Sequence, residues 1–247
     1  MKYVLAKRHR QSLTAFARSN VLLAFDFDGT LAPIAEQPQR ARMRRSTRRL
    51  LARASMSYPC IVISGRALGD IAERVKDVPL WTVLGNHGVE PWGRSPMLAR
   101  RVAEWRRRLE PRLARHAGVV LEDKRYSITL HYRQAPDKAA ARRAIRAALA
   151  GINGARVFGG KRAVNVVPRA APDKGAALDR ARHLAGCDRM IYVGDDRTDE
   201  DAFRRAPQRR LLSIRIGRAR RTGATYYLRT QVEIDALLAT LIRLRAG

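Results

Sequence analysis

The chain has 247 residues, 46% of them hydrophobic, with 17 Gly and 11 Pro, which excludes wholesale disorder and leaves room for one large core or two smaller ones. With 50 Lys and Arg against 22 Asp and Glu, the formal net charge is +28, enough to attract any polyanion loosely at low salt. That excess is nearly all Arg, spread along an Ala-rich chain without zinc-finger spacing or an aromatic RNA-binding sequence, so specific nucleic-acid binding is not expected. No apolar run reaches the roughly 18 residues of a membrane span and none opens the chain, so a cytoplasmic protein without a membrane partner, and a monomer, is the default. Cys60 and Cys187 lack metal-ligand spacing and read as inert buried thiols.

In chain order, residues 1–20 read as a basic segment with a short helix. Val21 to Phe25 is an apolar run that predicts a strand buried on both faces, and it ends on Asp26, Asp28 and Gly29. Two carboxylates where a buried strand ends are either an acidic turn or a site for a hard cation, because ionised carboxylates near a core need a counter-charge. A loop with Pro33 and Pro38 follows, then a helix over 42–54. Cys60 to Ile63 predicts a second buried strand ending on Ser64, Gly65 and Arg66, which suits either a helix cap or a phosphate clamp. A third strand leads to Asn86, His87 and Gly88, where a lone histidine in a turn reads first as structural.

From about Arg94 the texture changes. A helix over 97–116, two alternating runs in 119–133, an Ala-rich helix over 136–149 and a hairpin around Gly159-Gly160 make an αββαββ unit. The expected division is a core of residues 1–94 and 169–247 with residues 95–168 inserted between its third and fourth strands. The expected fold class is therefore α/β, a Rossmann-like parallel sheet with an inserted α+β cap. In the second half of the core, Pro172 and Asp173 open a helix that carries Lys174 in its first turn, against the dipole, which points to an anion nearby. An apolar strand over 190–194 then ends on Asp195 and Asp196, and Asp199, Glu200 and Asp201 follow at once, an acid cluster that needs a counter-charge in so basic a chain.

Four segments, DFDGT, ISGR, APDKG and GDDRTDE, occur in this order, each at a strand end or helix start, and together resemble the haloacid dehalogenase superfamily of phosphohydrolases. GNHGVE and the segments EDKxxSxxxHYR and GGKxxxN are similar to those of trehalose-6-phosphate phosphatases. The resemblance implies Asp26 as nucleophile, Asp28 as general acid/base, and Ser64 and Lys174 on the phosphoryl oxygens. It further implies Mg²⁺ held by Asp26, the Asp28 backbone carbonyl and Asp195. Gly65, Arg66, Asn86 and His87 would lie on the substrate side, and Glu122, Arg133, Lys161 and Asn165 would hold the sugar. Asn165 departs from the Glu usual in that family, which keeps a sucrose-phosphate or glucosyl-3-phosphoglycerate phosphatase open beside trehalose 6-phosphate as the sugar-phosphate substrate. The competing class is a basic nucleic-acid-binding protein.

Overall fold

A computed structural model of the chain describes residues 1–160 and 162–246. It divides into two compact units, residues 1–88 with 173–247 and residues 89–172. The first unit opens with β1 (Lys2–Tyr3), α1 (Arg10–Ala17), β2 (Val21–Phe25), α2 (Arg45–Ser55), β3 (Cys60–Ile63), α3 (Leu68–Val75) and β4 (Thr82–Leu84). The second holds α4 (Pro96–Leu113), β5 (Val120–Asp123), β6 (Ile128–His131), α5 (Lys138–Leu149), β7 (Ala155–Gly160) and β8 (Ala163–Pro168). The chain then returns to the first unit as α6 (Lys174–Leu184), β9 (Arg189–Gly194), α7 (Glu200–Phe203), β10 (Leu211–Ile216), β11 (Tyr226–Leu228) and α8 (Ile234–Ala246).

Among the described residues the first unit forms one seven-stranded sheet in the order β1-β11-β10-β9-β2-β3-β4, parallel throughout. All five residues of β2 are buried, as a central parallel strand covered on both faces requires. Val21, Leu23 and Phe25 face a core shared with Leu13 and Phe16 of α1, Leu51 of α2, Ile71 and Val75 of α3, and Leu237, Leu238 and Leu241 of α8. Leu22 and Ala24 alternate to the opposite face and are equally buried. The strand β1 was not expected. Two residues have no period to read, and only its pairing with β11 at the sheet edge reveals them as a strand. The insertion consequently follows the fourth strand of the unit, not the third.

The second unit packs α4 and α5 on one face of an antiparallel sheet ordered β5-β6-β8-β7. Its core unites Val102, Trp105 and Leu109 of α4 with Ile128 and Leu130 of β6, Ile145 of α5 and Val166 of β8. The helix α5 starts at Lys138 instead of Pro136 because the Asp137 carboxylate caps it, accepting from the Ala139 and Ala140 amides at 2.8 and 2.9 Å. No described helix is long and apolar enough to cross a membrane.

Trp105 is 1% exposed and is the largest fully buried side chain among the described residues. Trp105→Ala is expected to cost about 3–5 kcal/mol in the second unit, read as a lowered urea midpoint by circular dichroism; a loss below about 1 kcal/mol would place the indole outside the core.

Candidate active site

The sheet order decides where chemistry can gather. The strands β2 and β9 lie side by side in parallel, with Phe25 opposite Val193, and the chain runs out from them in opposite directions across the sheet. Ligands of open α/β sheets bind at such a reversal, at the carboxyl ends of the strands. Asp26 follows β2 immediately, its amide donating to the Val193 carbonyl at 2.9 Å, and Asp195 follows β9. Gly29 turns the chain with φ +92°, and a Cβ there would run into the Asp195 carboxylate, so conformation and space both demand glycine.

Lys174 opens α6 between these acids. Its Nζ donates to Asp26 Oδ1 and to Asp199 Oδ1, each at 2.7 Å, and all three side chains are at most 8% exposed. The unfavourable place of a lysine in a first helical turn is thereby offset by two carboxylates at contact distance. Asp199 accepts two further bonds on its other oxygen, from the amides of Asp195 and Asp196 at 2.8 and 2.9 Å, and its Oδ1 also takes the Tyr192 hydroxyl at 2.7 Å. Asp196 and Asp199 form a capping box around the turn after β9. Burial pushes the Asp26 carboxyl well up, with Asp199 and Asp195 adding to the rise and the Lys174 ammonium opposing it. Burial disfavours charge on Lys174, but Asp199 and Asp26 outweigh it and hold the ammonium above its ordinary range.

Carboxylate oxygens of Asp26, Asp195 and Asp199 lie within 4.8 Å of one another, a group able to hold a metal ion. Three carboxylates against one buried ammonium leave negative charge that a divalent cation would neutralise, so the residues fit such an ion. Asp199 is already occupied by four donors, which leaves Asp26 and Asp195 as the carboxylates best placed to ligate. The Asp28 carboxylate is not in this group. It faces Arg66, whose Nε and Nη2 each donate to one of its oxygens at 2.7 Å.

Ser64 follows β3 directly, 1% exposed, its amide donating to the Leu84 carbonyl of β4 at 2.9 Å and its hydroxyl accepting from the Arg66 amide at 3.2 Å. The hydroxyl hydrogen therefore remains to donate. The Asn86–Gly88 turn folds over the same strand end: the amides of Asn86 and His87 bond the Arg66 and Ser64 carbonyls at 2.6 and 2.8 Å. Both Asn86 and His87 have positive φ, and a Cβ on Gly65 would strike the His87 ring. Gly65 thus makes room for His87, while Arg66, expected on the substrate, engages Asp28 and Asp70.

In the second unit, the strand register aligns Glu122, Thr129, Asn165 and Phe158 across one sheet face, opposite the helices. The Thr129 hydroxyl donates to Asn165 Oδ1 at 2.9 Å. Glu122 pairs with His131 Nε2 at 2.7 Å, and although burial opposes its ionisation, His131 and Lys124 hold the carboxyl below its ordinary range. Arg133, just past β6, is half-buried. Lys161 lies outside the described residues. Sequence reasoning overlooked Tyr192 and His131; a tyrosine within an otherwise aliphatic buried strand was the one available signal.

A parallel sheet with strand-end aspartates, a helix-start lysine and an inserted α+β unit defines a haloacid dehalogenase-like fold. A haloacid dehalogenase-like hydrolase from Bacteroides thetaiotaomicron superposes with a TM-score of 0.60 over 89% of this chain and 97% of its own, at 16% identity. The trehalose-phosphatase family model matches residues 24–230, and the chain belongs to that family. A trehalose-phosphate phosphatase of Mycolicibacterium paratuberculosis is 35% identical over 198 residues, 72% of this chain and 49% of that protein. An uncharacterised glycosyl hydrolase of Mycobacterium tuberculosis is 38% identical over 200 residues, 72% of this chain and 15% of that protein. The chain thus matches about half, or less, of the length of these relatives. The C-terminal domain of Candida albicans trehalose-6-phosphate phosphatase superposes with a TM-score of 0.78 over 95% of this chain and 97% of its own, at 22% identity.

Lys174→Ala would leave Asp26 and Asp199 as unmatched buried charges and is expected to cost about 3–5 kcal/mol, whereas Tyr192→Phe removes one of four donors to Asp199 and should cost about 1 kcal/mol. Urea midpoints of the two variants check the ranking; equal effects would refute the central place given to the lysine.

Proposed function

We propose that the chain is a Mg²⁺-dependent phosphomonoesterase that hydrolyses trehalose 6-phosphate to trehalose and phosphate through an aspartyl-phosphate. The observation that carries this reading is the buried Asp26 carboxylate at a strand end, bonded by Lys174 at 2.7 Å, in a chain of the trehalose-phosphatase family. An Asp26 oxygen attacks phosphorus in line, and the bond from phosphorus to the sugar oxygen breaks. Asp28, entering the cycle as the carboxylic acid, delivers its proton to that leaving oxygen. It then takes one from the water that attacks the aspartyl-phosphate, which frees phosphate and restores Asp26. Lys174 and the Ser64 hydroxyl offset charge on the phosphoryl oxygens. Asp26, the Asp28 carbonyl and Asp195 would hold Mg²⁺, which supplies charge neutralisation when bound.

Glu122, Arg133, Lys161 and Asn165 are proposed as the residues that select the sugar, and Asn86 and His87 as further substrate contacts. A second reading, phosphatase action on another sugar phosphate, is favoured by Asn165 alone: its neutral amide, tied to Thr129, cannot accept hydroxyls as strongly as a carboxylate.

Phosphate release with Mg²⁺ from trehalose 6-phosphate, sucrose 6-phosphate, glucosyl-3-phosphoglycerate and glucose 6-phosphate tests the proposal. Expected is a preference for trehalose 6-phosphate, abolished by EDTA and by Asp26→Asn. Preference for another sugar phosphate moves the specificity, and no metal-dependent release from any of them overturns the enzyme reading.

A further inference from the structure

A line of alternating charge leaves the Asp28 carboxylate and ends on a loop. Beyond its two bonds to Asp28, Arg66 donates from Nη1 to Asp70 Oδ2 at 2.6 Å. The other Asp70 oxygen accepts from Arg74 Nε at 2.9 Å, one helical turn further along α3. Both arginines then reach the same segment: Arg66 Nη2 donates to the Pro38 carbonyl at 2.8 Å, and Arg74 Nη1 to the carbonyls of Gln39 and Ala41 at 3.1 and 2.8 Å. The two guanidinium side chains are 12% exposed, against 39% for Asp28 and 41% for Asp70. Arg66 also lies over the Phe27 ring, 5.7 Å from its centroid.

The segment that receives these bonds has little structure of its own. Between Ala32 and α2 the described backbone forms only the turn Pro38–Arg40, closed by bonds from Arg40 and Ala41. Arginine side chains from α3 and from the turn before it donate to three of its carbonyls, those of Pro38, Gln39 and Ala41. An isolated exposed ion pair contributes little. A bidentate fork in series with a second pair and three backbone carbonyls differs, because each contact restricts the geometry of the next.

We propose that Arg66 and Arg74 are positioning residues: the line Asp28, Arg66, Asp70, Arg74 sets the aim of the Asp28 carboxylate and ties it to residues 38–41. Arg66 thus acts through Asp28, and Arg74, which touches neither Asp28 nor Asp26 in any described bond, acts through Asp70 and the loop. The assignment rests on the phosphatase reading for what Asp28 does, and on the geometry alone for the tie.

The test separates these by choice of leaving group. A sugar alkoxide needs a proton from Asp28, whereas p-nitrophenolate leaves without one, and kcat/KM reports only steps up to phosphoryl transfer. For trehalose 6-phosphate, Arg66→Ala is expected to lower kcat/KM about 100-fold and Arg74→Ala about tenfold, the loss falling in kcat with KM little changed. For p-nitrophenyl phosphate, Arg74→Ala should stay within about twofold of the unaltered protein. Arg66→Lys, with one point charge in place of a fork, should recover less than about a tenth of the loss. Amide hydrogen exchange at residues 40 and 41 should quicken in both alanine variants. Equal losses of Arg74→Ala on both substrates, no loss on either, or unchanged exchange would overturn the proposal. Absence of turnover by the unaltered protein would sink the phosphatase reading, and the exchange measurement would still decide whether the line holds the loop.

Discussion

Everything at the site depends on one buried cation, the Lys174 ammonium between Asp26 and Asp199. Removing an ionised carboxylate from water costs several kcal/mol, and Asp26 and Asp199 are both nearly sealed off. The lysine lets two such groups stand side by side, and the price is a rigid geometry: α6 has to begin at that residue, with Asp173 capping it and Asp199 held by four donors. A polar cluster so constrained contributes little net stability. Its consequence is a carboxylate oriented and poised at a strand end, with negative charge left over beside it for a divalent ion.

The parallel sheet explains why these residues meet at all. Neighbouring strands β2 and β9 are separated by more than half of the chain, yet their register puts both strand ends at one level, so the residues that follow converge. Ser64 joins them because β3 flanks β2 on its other side. The Asn86–Gly88 turn follows β4 and closes over Ser64 by backbone bonds. Four strand-end segments are thus brought together by strand adjacency, and α6 adds Lys174 to them.

Charge has a broader role. With a net +28, the protein as a whole favours encounter with anions at low salt, before any specific contact forms. Some of the few acids are placed by the fold with partners: Asp26, Asp28, Asp195 and Asp199 follow strand ends, Asp70 stands behind Arg66, and Glu122 lies on the sheet of the second unit, paired with His131. The same arginine abundance that makes the composition unusual supplies, at Arg66 and Arg74, forks of the shape a carboxylate and loop carbonyls require.

Sequence by itself determined the acid-bearing strand ends, because a run such as VLLAF followed by acids and glycine has few physical solutions, and determined the alternation of the inserted unit, because period two and period 3.6 are local properties. It also marked Lys174, whose conflict with the helix dipole demanded an anion. The edge strand β1 escaped it, since two residues carry no period, and so did the Tyr192 bond to Asp199, since a buried tyrosine in a strand looks like core until its hydroxyl is traced. Arg66 shows the limit most plainly. Its place after β3 is legible, but whether its guanidinium meets a substrate or Asp28 depends on where the Asp26–Gly29 turn and α3 come to rest. Only the tertiary structure decides that, because a side chain of this length reaches several partners and the packed backbone selects among them.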